Sequence, residues 1–266
     1  MNYLLSLEIK KMKSYRPFWV LSGLYLFIVA FLPVLVIQVI EWIKEKGGKI
    51  DGFDLTNIPV FHFPDIWQNI TYVTILSKII VCIIVLMSVT NEFSYRTIRQ
   101  NIIDGLSRKQ YLLSKLYFSF FISLLATLLV FMVCIVLGLV YTPNLTFHYF
   151  MEGMEFIPAF WLDLFSTLLI TLLIGFYVSR SGLSIALVLL MWPLEYIFTS
   201  LLPDSFSPII PYFPLHSINK LIEVPFPRYM FQEIQDTVSM HWVLIVILYC
   251  LLFIYLLYRK MAKSDF

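Results

Sequence analysis

Two ionisable side chains stand inside strongly apolar runs of this 266-residue sequence, and they are the first candidates for chemistry. Lys78 lies in "ILSKIIV" and Glu195 lies in "WPLEYIF". Charged groups at membrane depth are costly to bury, usually face the interior of a helix bundle and usually have a partner. We expect Lys78 and Glu195 to form an intramembrane charged pair, which either fixes helix packing or lines a transport path. Asp163 lies near the end of another apolar run, where we expect it to meet water.

The sequence lacks the common motifs for nucleotide binding and metal chemistry. A P-loop needs Gly-x-x-x-x-Gly-Lys-Ser/Thr, and the fragment Gly47-Gly48-Lys49 does not fit that frame. No His-Glu-x-x-His occurs either. Each of the four histidines lies near a predicted end of a membrane span: His62, His148, His216 and His241. We expect them at the membrane interface, and we expect this chain to have no catalytic residues, no metal and no cofactor of its own.

Composition places the chain among the polytopic membrane proteins. Hydrophobic residues make up 60% of the chain and charged residues only 14%, whereas a soluble domain has about 25% charged residues. Mean hydropathy is +0.84. The 3 cysteines all lie inside apolar runs, which predicts buried thiols rather than a disulfide framework. The net charge of +2 gives no reason to expect a nucleic-acid partner.

Several stretches are long and apolar enough for membrane-spanning helices, which need about 20 such residues. The six predicted spans are residues 17–43, 67–90, 110–141, 158–178, 183–202 and 240–258. Residues 1–16 are weakly amphipathic, and we expect an interfacial helix there. The fold class is therefore an all-α polytopic membrane protein, with residues 1–266 forming a single transmembrane domain.

One mostly basic segment, residues 91–115, interrupts the apolar runs with "NEFSYRTIRQNIIDGLSRKQYLLSK". Plotted on a helix, one face collects Tyr95, Ile98, Ile102 and Leu106. We expect that face to lie against the membrane domain, whereas Phe93 and Ile103 are candidates for docking into a partner. Gly105 predicts the end of this helix, and "SRKQ" predicts a capping box that starts the next span after Ser107.

The layout of six spans with a short cross-helix after the second span resembles the permease subunit of a type-2 ATP-binding-cassette (ABC) exporter. In that family the segment often runs from a Glu through Gly-Thr and an Arg- or Leu-rich turn to a Pro-x-Ser-Arg-like step and a Lys. The corresponding residues here are Glu92, Thr97, Arg99, Ser107, Arg108 and Lys115. The sequence departs from the pattern at Arg96, where Gly is common, and at Gly105-Leu106, where Pro and a small apolar residue are common.

The resemblance implies how the chain would work. Residues 91–106 would form a cytoplasmic coupling helix that contacts a separate ATPase subunit through Glu92, Phe93, Arg96, Thr97, Arg99 and Ile103. ATP and Mg²⁺ would bind to that ATPase. Two permease copies, or a permease and its paralogue, would enclose the substrate path within the lipid bilayer. Residues 203–239, apolar yet rich in proline, would form short re-entrant helices between spans five and six.

Two other classes of function remain open at the level of the sequence. The first is a membrane scaffold or sensor partner that transports nothing. The second is an intramembrane enzyme, for which a convergent catalytic set would be needed and the sequence offers only isolated Glu and His residues. Co-purification with an ATPase would distinguish the exporter subunit from both.

The distribution of Lys and Arg predicts the topology of the chain. Thirteen of these residues lie on the side of both termini and of segment 91–115, and five lie on the other side. The positive-inside rule places the richer side in the cytoplasm, so we expect a multi-pass protein of the cell membrane, such as a bacterial inner membrane. Reporter fusions at Lys49 and Ser217 should report the outside, and a fusion at Asp104 should report the inside. An outside signal at Asp104 would reverse this layout.

Overall fold

Helices dominate the computed structural model of this protein, which describes residues 2–45, 49–50, 53–54, 59–95, 97–103, 105–144, 146–226 and 237–263. Within these residues, six helical segments are long and apolar enough to cross a membrane. The prediction of an all-α fold with six spans is confirmed, and the chain is a multi-pass membrane protein. Because six spans return the chain to the face where it started, we call the face with Lys13 and Lys263 the terminal side and the opposite face the far side.

The helices follow one another along the chain, with the longest connections before α3 and before α11. They are α1 (Asn2–Lys13), α2 (Arg16–Glu45), α3 (Ile66–Thr74), α4 (Lys78–Ser94), α5 (Thr97–Ile103), α6 (Arg108–Tyr141), α7 (Phe147–Met151), α8 (Phe156–Val178), α9 (Ser181–Ser200), α10 (Pro214–Asn219) and α11 (Met240–Lys263). The second span is α3 and α4 joined by a 3-10 turn at Ile75–Ser77. Two further 3-10 turns, Asp204–Phe206 and Ile210–Tyr212, precede α10. The strands β1 (Lys49–Ile50) and β2 (Phe53–Asp54) form an antiparallel pair after α2.

Helix α8 forms the centre of the bundle, where it packs against α4, α6, α9 and α11. Its buried stripe includes Leu164, Leu168 and Leu172, which have no exposed surface. Gly175 lies opposite Leu86 and Val89 of α4, and a Cβ atom at this glycine would come within 3.1 Å of Leu86. A small residue at a contact between spans lets two helices approach closely, which places α4 and α8 side by side.

The charged side chain in the second span has a different partner from the one predicted. Lys78 Nζ lies 3.0 Å from both carboxylate oxygens of Asp163 in α8, and both side chains are buried. The prediction of a Lys78–Glu195 pair is therefore wrong, and so is the expectation that Asp163 meets water. Because α8 begins at Phe156, Asp163 lies about 10 Å inside this helix at 1.5 Å per residue. At that depth Asp163 is within reach of the lysine.

Glu195 instead fastens the fifth span to the far-side segment. Its carboxylate accepts hydrogen bonds from the N–H groups of Leu215 (3.2 Å) and His216 (2.9 Å), at the start of α10. His216 Nδ1 lies 2.8 Å from the same carboxylate. The first N–H groups of a helix lack partners within the helix, and a carboxylate there satisfies them and complements the helix dipole. Glu195 thus acts as a cap supplied by a neighbouring helix.

The proline-rich stretch before the sixth span folds into short helical turns between residues 204 and 219. Residues 227–236 lie outside the described part of the chain. Placement of this stretch as a re-entrant segment in the membrane stays a prediction. The N-terminal segment is the helix α1, and its interfacial position likewise stays a prediction.

We expect the Lys78–Asp163 pair to show energetic coupling. Lys78→Met or Asp163→Asn alone should destabilise the chain by about 3–5 kcal/mol, because each leaves an unpaired buried charge. The double variant should lose less than the sum of the two, as residues in contact do. The measurement is the unfolding midpoint of the purified chain in detergent. As a control, Lys78→Met combined with Glu195→Gln should be additive. Additivity in the first pair, or coupling in the second, would contradict the assignment.

Candidate functional site

The segment between the second and third spans contains a short separate helix rather than one long one. Helix α4 continues to Ser94, and α5 begins at Thr97 after a turn at Tyr95. Gly105 has a φ of 100°, and the Leu106 N–H donates to the Asn101 carbonyl over 3.0 Å. This is the bond that closes a helix ending in a left-handed glycine. The predicted stop at Gly105 is confirmed, whereas the predicted helix 91–106 is divided between α4 and α5.

The predicted capping box at the start of the third span is present. Ser107 Oγ accepts a hydrogen bond of 3.2 Å from the Gln110 N–H, and Gln110 Oε1 accepts one of 2.9 Å from the Ser107 N–H. Each side chain satisfies a backbone donor that the helix leaves unpaired. The chain therefore re-enters the bundle at a defined point, only a few residues after α5.

Four charged residues form an ion cluster next to α5, in which Glu8, Glu92 and Lys115 are buried and Lys11 is exposed. Lys115 has no exposed surface and lies at the centre. Its Nζ is 2.6 Å from Glu8 Oε2, 2.9 Å from Glu92 Oε1 and 2.7 Å from the Ser88 carbonyl. A lysine ammonium has three donors, and here each of them has a partner.

Lys11 completes the charge balance of the ion cluster at its more exposed edge. Its Nζ lies 3.0 Å from Glu92 Oε1 and 3.6 Å from Glu8 Oε1. Two ammonium groups thus face two carboxylates. A buried charge that keeps a partner and hydrogen bonds avoids the large cost of an isolated one.

The ion cluster connects α1 with three consecutive helices much later in the sequence, α4, α5 and α6. Glu8 and Lys11 come from α1, Glu92 from the last turn of α4, and Lys115 from the start of α6. Helix α5 joins through Asn101, whose Nδ2 donates to Glu92 Oε2 over 3.4 Å. Asn101, Glu92 and Lys115 thus form a continuous chain of contacts from α5 to α1 and α6.

A cavity of about 360 Å³ opens between α1 and α5 beside the ion cluster. Its walls include Glu8 and Lys11 on one side and Gln100 and Asn101 on the other. Helix α5 therefore packs on the bundle along one face, where Ile98 is buried. The other face of α5 borders this cavity.

The predicted faces of the segment are only partly correct. Ile98 is buried as expected, Leu106 is half-buried, and Ile103 is 83% exposed. The assignment of Tyr95 to the face that holds the helix to the membrane domain is wrong, because its side chain is 74% exposed. The turn at Tyr95 breaks the helical phase on which that assignment depends. The described part of the structure does not include residue Arg96 or the side chains of Arg99 and Ile102.

Three of the residues assigned to the ATPase-facing side, Glu92, Phe93 and Thr97, lie further inside than predicted. Glu92 is buried within the ion cluster, so its assignment to a partner contact is wrong. Phe93 is half-buried, and its ring meets the edge of Phe176 in α8 with centroids 6.0 Å apart. Thr97 is half-buried, with Oγ1 3.5 Å from the Glu92 carbonyl. The physical reason is that α4 extends past residue 90, so Glu92 and Phe93 follow the phase of a span.

The predicted site did not include Glu8, although the sequence contains a signal for its burial. Glu8 lies on the same helical face of α1 as Leu5 and Met12. A carboxylate on an apolar face is costly to bury without a partner, so its position predicts a buried cation. Which cation is not encoded locally, because Lys115 is 107 residues from Glu8 and 23 from Glu92.

Comparison with known proteins adds no relative to this description. No protein-family model matches the chain, and no curated protein matches it. Across the described residues, no group of three or more His, Cys, Asp or Glu side chains is placed to hold a metal ion. The fold and the site define a six-span membrane protein in which a short helix is fastened to the bundle by a buried ion cluster.

We expect Lys115→Met to release α1 from the bundle. The substitution leaves two carboxylates without their central ammonium, which should cost about 3–5 kcal/mol. Limited trypsin digestion should then cut at Lys10, Lys11 and Lys13 faster than in the parent chain, because α1 loses its anchor. The unfolding midpoint of the Lys115→Met variant should fall, and adding Glu8→Gln should raise it part of the way back to the parent value. The control Lys263→Met, at an exposed site, should change stability by no more than about 0.5 kcal/mol. Unchanged digestion of the Lys115 variant would contradict the anchoring role.

Proposed function

We propose that this chain is the permease subunit of an ATP-driven exporter of the type-2 ABC kind, coupled to a separate ATPase subunit. The observation that carries the proposal is α5, a short helix on the terminal side with an exposed apolar residue, Ile103, near its end. Asn101, two residues before Ile103, donates a hydrogen bond to Glu92 of the ion cluster, which reaches two spans and α1. Such a helix presents a docking surface and has a rigid connection to the membrane bundle.

The charge distribution supports a cytoplasmic position for α5. In the layout predicted from the sequence, 13 of the Lys and Arg residues lie on the side of both termini and five lie on the other side. Positive residues near span ends favour the cytoplasmic face of a membrane. ATP is a cytoplasmic ligand, so an ATPase subunit would meet this protein on that face of the cell membrane. ATP and Mg²⁺ would bind to the ATPase and not to the permease.

The buried charges supply a route by which movement at α5 would reach the spans. Asn101 links α5 to Glu92, and Lys115 links Glu92 to α6 and α1. Charge pairs shielded from water attract each other more strongly than pairs in water, so these elements resist separation. In the middle of the bundle, the Lys78–Asp163 pair ties α4 to α8. ATPase closure on α5 would therefore displace α1, α4, α6 and α8 together rather than one helix alone.

The exposed faces of the outer helices support association with a second permease copy. Helices α2 and α9 have few buried residues, and apolar side chains such as Phe27, Leu35 and Leu190 are exposed. Part of this apolar surface suits contact with lipid. In the proposed exporter another part faces a second permease copy or paralogue, and the substrate path runs between the two.

We expect Ile103→Asp to prevent ATPase binding without unfolding the permease. The side chain is exposed, so the change leaves the bundle intact, whereas a carboxylate enclosed in a docking contact without a partner is costly. The chain, tagged and purified from its native membranes, should bring with it an ATPase that contains a P-loop, identified by mass spectrometry. We expect recovery of that ATPase to fall to about a hundredth with Ile103→Asp, because a loss of about 3 kcal/mol lies within the range for such burial.

The matched control for this experiment is Tyr3→Asp, which adds the same charge at an exposed aromatic residue of α1. Recovery of the ATPase with this control should equal that of the parent chain. If no ATPase accompanies the parent chain, the exporter assignment fails. If the ATPase stays bound to the Ile103 variant, the assignment of α5 as the docking helix fails.

A further inference from the structure

An apolar groove of about 410 Å³ lies between α1, α2, α4 and α6 on the terminal side. Its floor is formed by buried side chains, among them Val81, Ile84, Phe118 and Ala126. The rim is different, because Trp19, Leu26 and Leu125 are exposed apolar residues of spanning helices. The groove therefore opens sideways, toward the hydrocarbon of the bilayer.

The length of the groove matches one leaflet of a membrane. Along α6 its lining runs from Phe118 to Leu129, which corresponds to about 16 Å at 1.5 Å per residue. The hydrocarbon core of a bilayer is about 30 Å thick, so the groove covers roughly half of it. One end lies at Lys13, at the end of α1, and the other lies near the middle of the bundle.

The chemistry of the lining favours a hydrocarbon chain over water. Apart from Lys13, the polar groups that reach the groove belong to Ser22, Tyr25 and Trp19. The indole N–H of Trp19 already donates to the Lys13 carbonyl over 2.9 Å. A buried water needs about two to four polar partners. The residues that α4 and α6 contribute to the lining are all apolar and offer none through their side chains. A flexible apolar chain meets the shape and the polarity of the walls.

The mouth of the groove is positively charged. Lys13 lines it. Lys10 and Arg16, each three residues from Lys13 in the sequence, are exposed. This charge is complementary to an anionic headgroup at the membrane surface. A second copy of the chain is a poorer occupant, because a two-fold contact places the same surface of both copies together. Their cations would then face one another.

We propose that this groove binds one acyl chain of an anionic phospholipid, whose phosphate lies against Lys13. Ile9 and Met12 of α1 contribute to the wall that would contact the acyl chain. The lipid then joins α1 to α2 and α6. This site goes beyond the proposed transport function, since it requires neither an ATPase nor a transported substrate.

The first test measures the acyl chain. The full chain is purified in detergent, freed of lipid, and mixed with dioleoylphosphatidylglycerol or dioleoylphosphatidylcholine, and retained lipid is counted by native mass spectrometry. The parent chain should retain one phosphatidylglycerol molecule. Ala126→Trp, which fills the floor, should lose it. Leu128→Trp, on an exposed face of α6 outside the groove, should keep it. Leu125→Trp at the exposed rim replaces the Ala126 variant if that one does not fold.

The second test measures the headgroup. Lys13→Gln should lower the preference for phosphatidylglycerol over phosphatidylcholine about five-fold, the effect of one lysine at a membrane surface. Lys263→Gln, on another helix, should leave the preference unchanged. Glycerol phosphate, which has the headgroup chemistry without acyl chains, should not displace the lipid. Lipid retained by the groove-filling variants, equal retention of the two lipids by the parent chain, or displacement by glycerol phosphate would each overturn the proposal.

Discussion

The terminal side of this protein depends on one constraint, the burial of the Lys115 ammonium without contact with water. An isolated ammonium in the low-dielectric interior is strongly unfavourable, so carboxylates must come to it. Glu8 and Glu92 do so at 2.6 and 2.9 Å. The contact between Glu8 and Lys115 sets where α1 lies against the bundle. The contact between Glu92 and Lys115 accompanies the extension of α4 beyond the predicted end of the span, and α5 begins after that extension.

At other depths in the bundle, buried charged groups likewise have partners on neighbouring helices. In lipid the hydrophobic effect contributes little to the association of one apolar helix with another, so packing and hydrogen bonds decide which helices meet and in which register. Lys78 and Asp163 join α4 to α8 in the interior, and Glu195 joins α9 to α10 on the far side. Together with the ion cluster, these contacts fix the bundle at three levels. Close packing of residues such as Gly175 and Leu86 occupies the space between.

The proposed function and the proposed lipid site meet at α1. Helix α1 contributes Glu8 and Lys11 to the ion cluster next to α5. Ile9, Met12 and Lys13 of the same helix line the apolar groove, and Met12 also borders the cavity beside the ion cluster. If both proposals hold, a helix held by charge and by a lipid chain would respond both to movement at α5 and to the composition of the membrane. The structure therefore gives an N-terminal segment of only 12 residues contact with both proposed sites.

The amino-acid sequence by itself determined the number of spans, the capping box at Ser107 and the helix stop at Gly105. Apolar length, a cap formed over three residues and the freedom of a glycine are local properties, and local sequence is enough to predict them. Only the tertiary structure decided which charges pair. Lys78 and Asp163 are 85 residues apart, and Glu8 and Lys115 are 107 apart. Their contacts depend on the rotation and depth of packed helices, and a shift of one turn, about 5.4 Å, separates a pair. For that reason the sequence identified Lys78 and Glu195 as charges that need partners. Helix packing then paired Lys78 with Asp163 and Glu195 with the start of α10.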